Sequence, residues 1–530
     1  MVFKSHVFVF IGLLLVLFAC ERSTESPAGV SGDHHAFTDT YQPPHFQDSG
    51  RIEKIRSTKA VVDQIFKAHF ENNHFPGMAY GLVVDGQLIY SNAFGLANTE
   101  TRTAATTQTD FRIASMSKSF TAMAILKLRD EGKLSLSDPV AKYIPAFARV
   151  RYLTSDAPPI TIEHLLTMSA GFPEDNPWGD RQLADTDDEL VQLISDGISF
   201  SNAPGLHFEY SNLGFATLGR VVVIVSGQSY QHYITESILK PLQMNDARWE
   251  YSEVPKEKLA LGYRWEDEQW KEEPMLHDGS YGAMGGLICS VDDFSKYVAF
   301  HLAAWPPRNE EESPIIKRSS LREMHQLQVL GGLFPDNRTR SGERCAALSG
   351  YGYGLGYRQD CKGIVSIRHG GGLPGFGSEW RFYPEYGIGI VSLSNLTYGG
   401  LGSSNAKALD TLIHLANLQP MTLPVSAILS QRQKEITEVI TSWPQDKLTV
   451  FAENFFMDQS LESWKKSSSG LWAEAGKIEK VNPVQPENQL RGTFIIECEK
   501  QNVAVFFTLT PEKNPLIQQL DLTLIPKEEK

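Results

Sequence analysis

No run of basic residues interrupts this sequence: 49 Lys and Arg are scattered against 63 Asp and Glu, leaving a formal charge of −14. Nucleic-acid binding relies on clustered Lys and Arg to neutralise phosphates, so that class is set aside. Cysteine is scarce, five in 530 residues, too few for a disulfide scaffold. No group of His, Asp and Glu has the spacing of metal ligands, and neither a metal nor an organic cofactor is expected. No Gly-x-Ser-x-Gly occurs, so the nucleophile elbow of the α/β-hydrolases is missing. Gly370, Gly372 and Gly375 match the spacing of a dinucleotide loop, but Pro374 and the lack of a following helix remove that reading. No apolar run reaches the ~20 residues of a helical membrane span either. What is present is 42 % hydrophobic and 21 % charged residues, the composition of a chain able to bury a large core.

The N-terminus speaks to compartment. Lys4 precedes the uncharged run Val7–Ala19, shorter than the ~20 helical residues that span a bilayer and suited to a signal peptide over residues 1–19. The run ends Leu17-Phe18-Ala19-Cys20, which resembles a bacterial lipobox. That resemblance implies lipidation of Cys20, attachment to a membrane on the periplasmic side, and a tether over residues 20–50. Ordinary secretion with cleavage nearby is the alternative; both make the protein exported.

Folded structure is expected from about residue 51. Apolar positions recur at helical spacing from Ile52 to Phe70. Two β-rich runs flank Asp85-Gly86, the strongest short signal for a hairpin. Helical patterns follow over Ser115–Glu131, Ile162–Met168 and Asn212–Val225, and strand patterns return at Ile364–Arg368, Ser378–Tyr383 and Ile388–Leu393. Strands at both ends with helices between predict one α+β domain, residues 51–418, whose sheet collects strands from both termini. Pro420 and Pro424 mark its end. Residues 425–530 then read as a small second α+β domain, with a helix over Ser426–Trp443 and strands at Arg491–Cys498 and Asn502–Leu509.

Three short elements carry chemistry: Ser115-Met-Ser-Lys118, Tyr210-Ser-Asn212 and His369-Gly-Gly371. Ser and Lys three residues apart on a helix share a face. A hydroxyl is a poor nucleophile until a base takes its proton, and a desolvated Lys with lowered pKa is such a base. Taken alone the pattern also fits a capped amphipathic helix with a solvent-facing Lys. Its surroundings are more specific. Phe111-Arg-Ile-Ala-Ser115-Met-Ser-Lys118 resembles the nucleophile motif of the serine β-lactamase and penicillin-binding-protein superfamily, in particular class C and its esterase and peptidase relatives. Pro76-Gly-Met-Ala79, Asp138-Pro139, Ile160–Gly171, Pro204-Gly205, Gly285-Gly286-Leu287 and His369–Gly375 agree in the same order. Agreement runs from about residue 55 to 415.

The resemblance implies a β-lactamase/transpeptidase-like fold and an acyl-enzyme mechanism. Ser115 is then the nucleophile, with Lys118 and Tyr210 sharing the proton work as a coupled pair. Asn212 is expected to hold Lys118 and a substrate carbonyl. His369, Gly370 and Gly371 line the substrate strand, and the backbone N–H groups of Ser115 and Gly372 form the oxyanion hole. His369 stands where β-lactamases carry a Lys. An unperturbed imidazole is mostly neutral at pH 7 and anchors a carboxylate poorly, so an ester, amide or D-peptide substrate of cell-wall type is expected. Alternatives are a class C-like β-lactamase, a D-alanyl-D-alanine carboxypeptidase, and a non-catalytic or single-turnover penicillin-recognising receptor. Cys345 and Cys361 are able to pair in an oxidising compartment, but sequence does not give their separation, and pairing stays open.

Overall fold

The computed structural model describes residues 40–338 and 342–527. The expected signal peptide and the expected lipidation site Cys20 lie outside the described residues. From Gln42 onward the described chain forms one compact unit, which revises the expected tether at its C-terminal end. His45 exchanges backbone hydrogen bonds of 3.2 and 2.9 Å with Thr422, and the Arg51 guanidinium sits 3.6 Å from the Phe46 ring centroid. Backbone pairing and a cation over a ring hold a stretch whose polar composition reads as solvated.

The large sheet has nine antiparallel strands: β1 (Gly77–Val84), β2 (Gln87–Asn98), β3 (Thr103–Ala104), β4 (Val329–Phe334), β5 (Ala347–Tyr351), β6 (Gly356–Asp360), β7 (Val365–Leu373), β8 (Phe376–Tyr383) and β9 (Ile388–Ser394). Their order is β3-β2-β1-β9-β8-β7-β6-β5-β4. Asp85 and Gly86 both have positive φ (49° and 79°), as the tight β1–β2 turn requires. β1 pairs with β9 from Met78↔Ser394 to Val84↔Ile388, so the sheet does gather its strands from both ends of the domain. Every residue of β1 is buried, because helices cover both faces. Ala79 and Val83 enter one core; Met78, Tyr80, Leu82 and Val84 enter the other.

Helices α1 (Lys59–Asn72), α2 (Ser117–Asp130), α3 (Asn212–Ser226), α4 (Val291–Leu302) and α5 (Gly402–Leu415) frame the sheet. α1 and α5 contribute to the core on one face, and α2, α3 and α4 to the core on the other. The helix expected from Ile52 to Phe70 is broken at Thr58, whose hydroxyl donates to the Ile55 carbonyl at 2.7 Å and competes with the helical ladder. α2 is buried without interruption from Ser117 to Leu126, so its polar residues must find partners inside the protein.

The C-terminal sheet has its own core. It follows α6 (Ala427–Val439) and α7 (Leu461–Ala475), and comprises β10 (Ile478–Val481), β11 (Gln485–Asn488), β12 (Arg491–Cys498), β13 (Asn502–Leu509) and β14 (Ile517–Ile525). In β12 and β13 alternate residues are buried, the period-two pattern of a sheet with one packed face. α7 has no counterpart in the sequence reading. Its Lys465-Lys466-Ser-Ser-Ser-Gly470 stretch has the composition of a turn, and packing overrides it: Ser468 accepts a 2.8 Å bond from the Trp443 indole. Among the described residues no helix is long and apolar enough to cross a membrane.

Candidate active site

Ser115 lies on a 3-10 turn, Ala114–Met116, immediately before α2; the helix expected from Ser115 begins two residues later. Ala114 has φ of 50°, a left-handed conformation that costs a non-glycine residue roughly 1–2 kcal/mol. The turn is fixed from outside. Ile113 donates its N–H to the Leu287 carbonyl at 2.9 Å, and its own carbonyl accepts from the Ser378 hydroxyl at 2.6 Å. β7 runs directly against this turn. A Cβ at Gly371 would meet the Ile113 carbonyl oxygen at 2.4 Å and Ser378 Oγ at 2.3 Å, so only glycine lets strand and nucleophile turn approach this closely.

Lys118 is wholly buried. Its ammonium nitrogen contacts Ser115 Oγ at 2.9 Å, Asn212 Oδ1 at 2.7 Å and the Met284 carbonyl at 2.9 Å. Burial lowers its pKa from 10.5 to about 7, while Asp180 and Asp175 pull the other way. Two of the three contacts are oxygens that can only accept, so they keep two N–H bonds in place. The third is a hydroxyl, able to donate. When Lys118 loses its proton, the lone pair faces Ser115. This geometry allows a neutral Lys118 to accept a proton from the Ser115 hydroxyl.

Tyr210 precedes the Ser211 N-cap of α3, and its ring centroid is 4.9 Å from Lys118 Nζ. Burial is the largest influence and drives its pKa well above the ordinary value, with the hydrogen bond to Ser115 opposing. Near neutral pH Tyr210 is therefore protonated, and Lys118 is the member of the pair that titrates.

Asn212 is placed differently from the sequence expectation. It is wholly buried, and its amide nitrogen donates to Asn176 Oδ1 at 2.6 Å and Asp180 Oδ1 at 3.3 Å. Those bonds use both N–H groups and turn the amide oxygen to Lys118. Asn212 positions the lysine and does not reach the cavity; Asn176 lines it instead. Asp175 fixes this arrangement by accepting from the backbone N–H groups of Asn212 (2.7 Å) and Leu213 (2.8 Å), as a carboxylate at a helix N-terminus does.

A cavity of about 550 Å³ opens over Ser115, with Tyr210, His369 and Gly370–Gly372 along its walls. Phe208, Phe334 and Tyr351 form an apolar side, Asn176, Asp180 and Tyr398 a polar one. Tyr398 donates to Asp180 Oδ2 at 3.0 Å and stands so close to Gly372 that a Cβ there would meet its Cδ1 at 2.6 Å. The backbones of Ser115 and Gly372 thus border one cavity. His369 is buried beside Tyr210, ring centroids 6.3 Å apart. Its Nδ1 is 2.6 Å from the Gly370 carbonyl and must donate there, which leaves Nε2 to accept from the Tyr351 hydroxyl at 2.8 Å. Burial, reinforced by Lys118, lowers the imidazole pKa to about 3. His369 is neutral and both nitrogens are engaged, so it offers a substrate carboxylate no cation.

The residues that sequence reasoning missed are Asp175, Asn176, Asp180, Tyr351, Tyr398 and the Met284 carbonyl. None belongs to a local pattern; each arrives from a distant segment. Among the described residues no cluster of His, Cys, Asp and Glu is arranged to hold a metal ion.

The family model described as Beta-lactamase matches residues 62–413. The chain belongs to the beta-lactamase family. Protein flp of Staphylococcus aureus (strain COL) is 28 % identical over 63 % of this chain and 62 % of its own length. Beta-lactamase-like protein 2 of Dictyostelium discoideum is 32 % identical over 48 % of each chain. The chain therefore spans 62 % of the length of the first of these curated relatives and about half, 48 %, of the second. Among solved structures, the octameric penicillin-binding protein homologue from Pyrococcus abyssi aligns with a TM-score of 0.57 at 23 % identity, covering 87 % of this chain and 99 % of that one. The penicillin-binding protein from Bacillus halodurans aligns at 0.52 and 24 %, covering 65 % of this chain and 98 % of that one. At these identities the likeness is one of fold.

Proposed function

We propose that this chain is an exported serine hydrolase that acts through an acyl-enzyme on an ester, amide or D-peptide substrate, without metal or organic cofactor. The observation that carries the reading is the trio of Lys118 contacts, which directs its lone pair at Ser115 once the proton is lost. Ser115 Oγ gives its proton to Lys118 and forms a bond to the substrate carbonyl carbon. The carbonyl oxygen takes the negative charge, facing the backbone N–H groups of Ser115 and Gly372. Tyr210 passes the proton on to the leaving oxygen or nitrogen as its bond to carbon breaks. Water then attacks the acyl-Ser115 ester, giving its proton to the same pair, and the product acid leaves with Ser115 restored.

The neutral His369 favours substrates without a carboxylate at that position. Penicillins and cephalosporins carry one, so they are expected to be poor substrates beside small neutral esters. Export and a lipid anchor at Cys20 remain the reading of the N-terminal segment, and with them a periplasmic location and cell-wall fragments as natural substrates.

The test is labelling by a fluorophosphonate probe together with steady-state hydrolysis of p-nitrophenyl acetate and a chromogenic cephalosporin. Wild type is expected to label on Ser115 and to turn over the ester many times, with Ser115→Ala doing neither. A single stoichiometric burst with no turnover would instead identify a receptor, and labelling of another serine would remove the assignment.

A further inference from the structure

Behind the catalytic strand lies a second cavity, of about 780 Å³, enclosed by β6, β7, β8, α5 and the chain around Asn337 and Cys345. Its floor is read directly from strand register. Arg358 on β6 faces Ser366 on β7, and Arg368 on β7 faces Arg381 on β8. Two arginines directly opposite one another in a sheet repel, and a third stands diagonally across from Arg368. Arg381 is compensated by Glu379 at 2.6 Å. Among the described residues no carboxylate forms a salt bridge with Arg358 or Arg368; Arg358 is held by the neutral Asn337 amide.

The deficit extends to individual atoms. Arg368 Nε and Ser366 Oγ are buried polar atoms without a hydrogen-bond partner, and both residues line this cavity. Burial and the neighbouring Arg381 and Arg358 lower the Arg368 pKa, with Glu379 opposing. The cavity's two acids are already engaged: Asp360 accepts from the backbone N–H groups of Lys362 and Ile364, and Asp410 accepts from the Tyr383 hydroxyl. Cys345 and Cys361 are disulfide-bonded, with Cα atoms 5.2 Å apart, and tie the rim to the β6–β7 turn.

We propose that this cavity binds a small organic anion whose doubly charged oxyanion group, phosphate or dicarboxylate, sits between Arg358 and Arg368 and accepts from Arg368 Nε and Ser366 Oγ. Two uncompensated guanidiniums call for two negative charges, and planar forks suit phosphate and carboxylate oxygens. The volume lies in the range of small-molecule pockets, so the oxyanion is one end of a larger ligand. Arg368 also borders the cavity over Ser115, so the two cavities meet at β7, while Ser366, Arg381 and Arg358 line the second alone.

The experiment is calorimetric titration of the full chain with inorganic phosphate and, separately, with citrate, against sodium chloride of equal ionic strength. Saturable binding tighter than about 1 mM is expected for at least one anion. Phosphate alone would identify a phosphate ester as the ligand's charged end, and citrate alone a carboxylate. Arg368→Gln is expected to weaken binding at least about tenfold, with Arg358→Gln as the second variant should Arg368→Gln fail to fold. Ser115→Ala is expected to bind undiminished, which separates this site from the catalytic one whatever becomes of the proposed hydrolysis. Heats matched by sodium chloride, or equal in wild type and the folded arginine variant, would overturn the proposal.

Discussion

The two cavities share strand β7 but treat buried cations in opposite ways. On the catalytic side, burial lowers Lys118 to about 7 and His369 to about 3, and both groups respond by releasing a proton. On the other side Arg368 is also largely buried, yet a guanidinium does not deprotonate in a protein. The same desolvation therefore has two results. It makes a base of a lysine that has acceptor oxygens around it, and it leaves an arginine in need of an anion. Residue type decides which of these burial produces.

The largest test of this contrast is Lys118→Arg. Charge and several N–H donors survive, but the group can no longer become a lone pair facing Ser115. The ester kcat/KM is expected to fall by about 10³-fold or more while the variant stays folded by circular dichroism. Activity within tenfold of wild type would show that Lys118 acts by charge and not as a base.

A smaller effect is expected from opening the rim of the second cavity. Cys345→Ser removes a crosslink closing a separation of 16 residues, worth about 3 kcal/mol. Thermal unfolding in oxidising buffer should show the lower midpoint, and wild type treated with a reductant should follow it. Equal midpoints would mean that the bridge does not hold this rim.

Arg368→Lys exchanges the cation that cannot titrate for one that can. Anion affinity should then fall as pH rises between about 7 and 10, because a buried Lys sheds its proton in that window, whereas wild-type affinity stays level there. A pH-independent Lys variant would mean that residue 368 is better solvated than its burial implies.

The smallest shift concerns the catalytic side alone. Asp180 raises the Lys118 pKa against burial, so kcat/KM should climb as pH passes about 7 and Lys118 becomes neutral. Removing the carboxylate charge in Asp180→Asn lowers that pKa further and moves the rising limb to more acidic pH, by about one unit. A limb that stays in place would assign it to another group.

Sequence patterns revealed those parts of the molecule that depend on neighbours along the chain. The Asp85-Gly86 hairpin is local turn chemistry. β12 and β13 alternate so regularly that their bounds, Arg491–Cys498 and Asn502–Leu509, are those of the sequence pattern. Ser115, Lys118, Tyr210, His369 and Gly372 were legible because they sit in short motifs. Edge strand β4 was not: it exposes Leu330, Leu333 and Phe334 and contains Gly331 and Gly332, so it shows neither helical period nor clean alternation. α7 was hidden by a polar stretch that only the Trp443–Ser468 contact explains.

What the sequence determined by itself was the candidate set of reacting groups and the order of the motifs that mark the family, since both are written in covalent spacing. Tertiary structure decided their chemical states. Whether Lys118 is a base depends on Met284, Asn212 and two aspartates brought from other segments. Whether His369 is a cation depends on its burial and on Lys118, which belongs to a distant segment. Whether Arg368 has a counter-charge depends on the register of three strands. A protonation state is set by solvent exclusion and by charges a few ångströms away in space, and neither quantity is a function of distance along the chain.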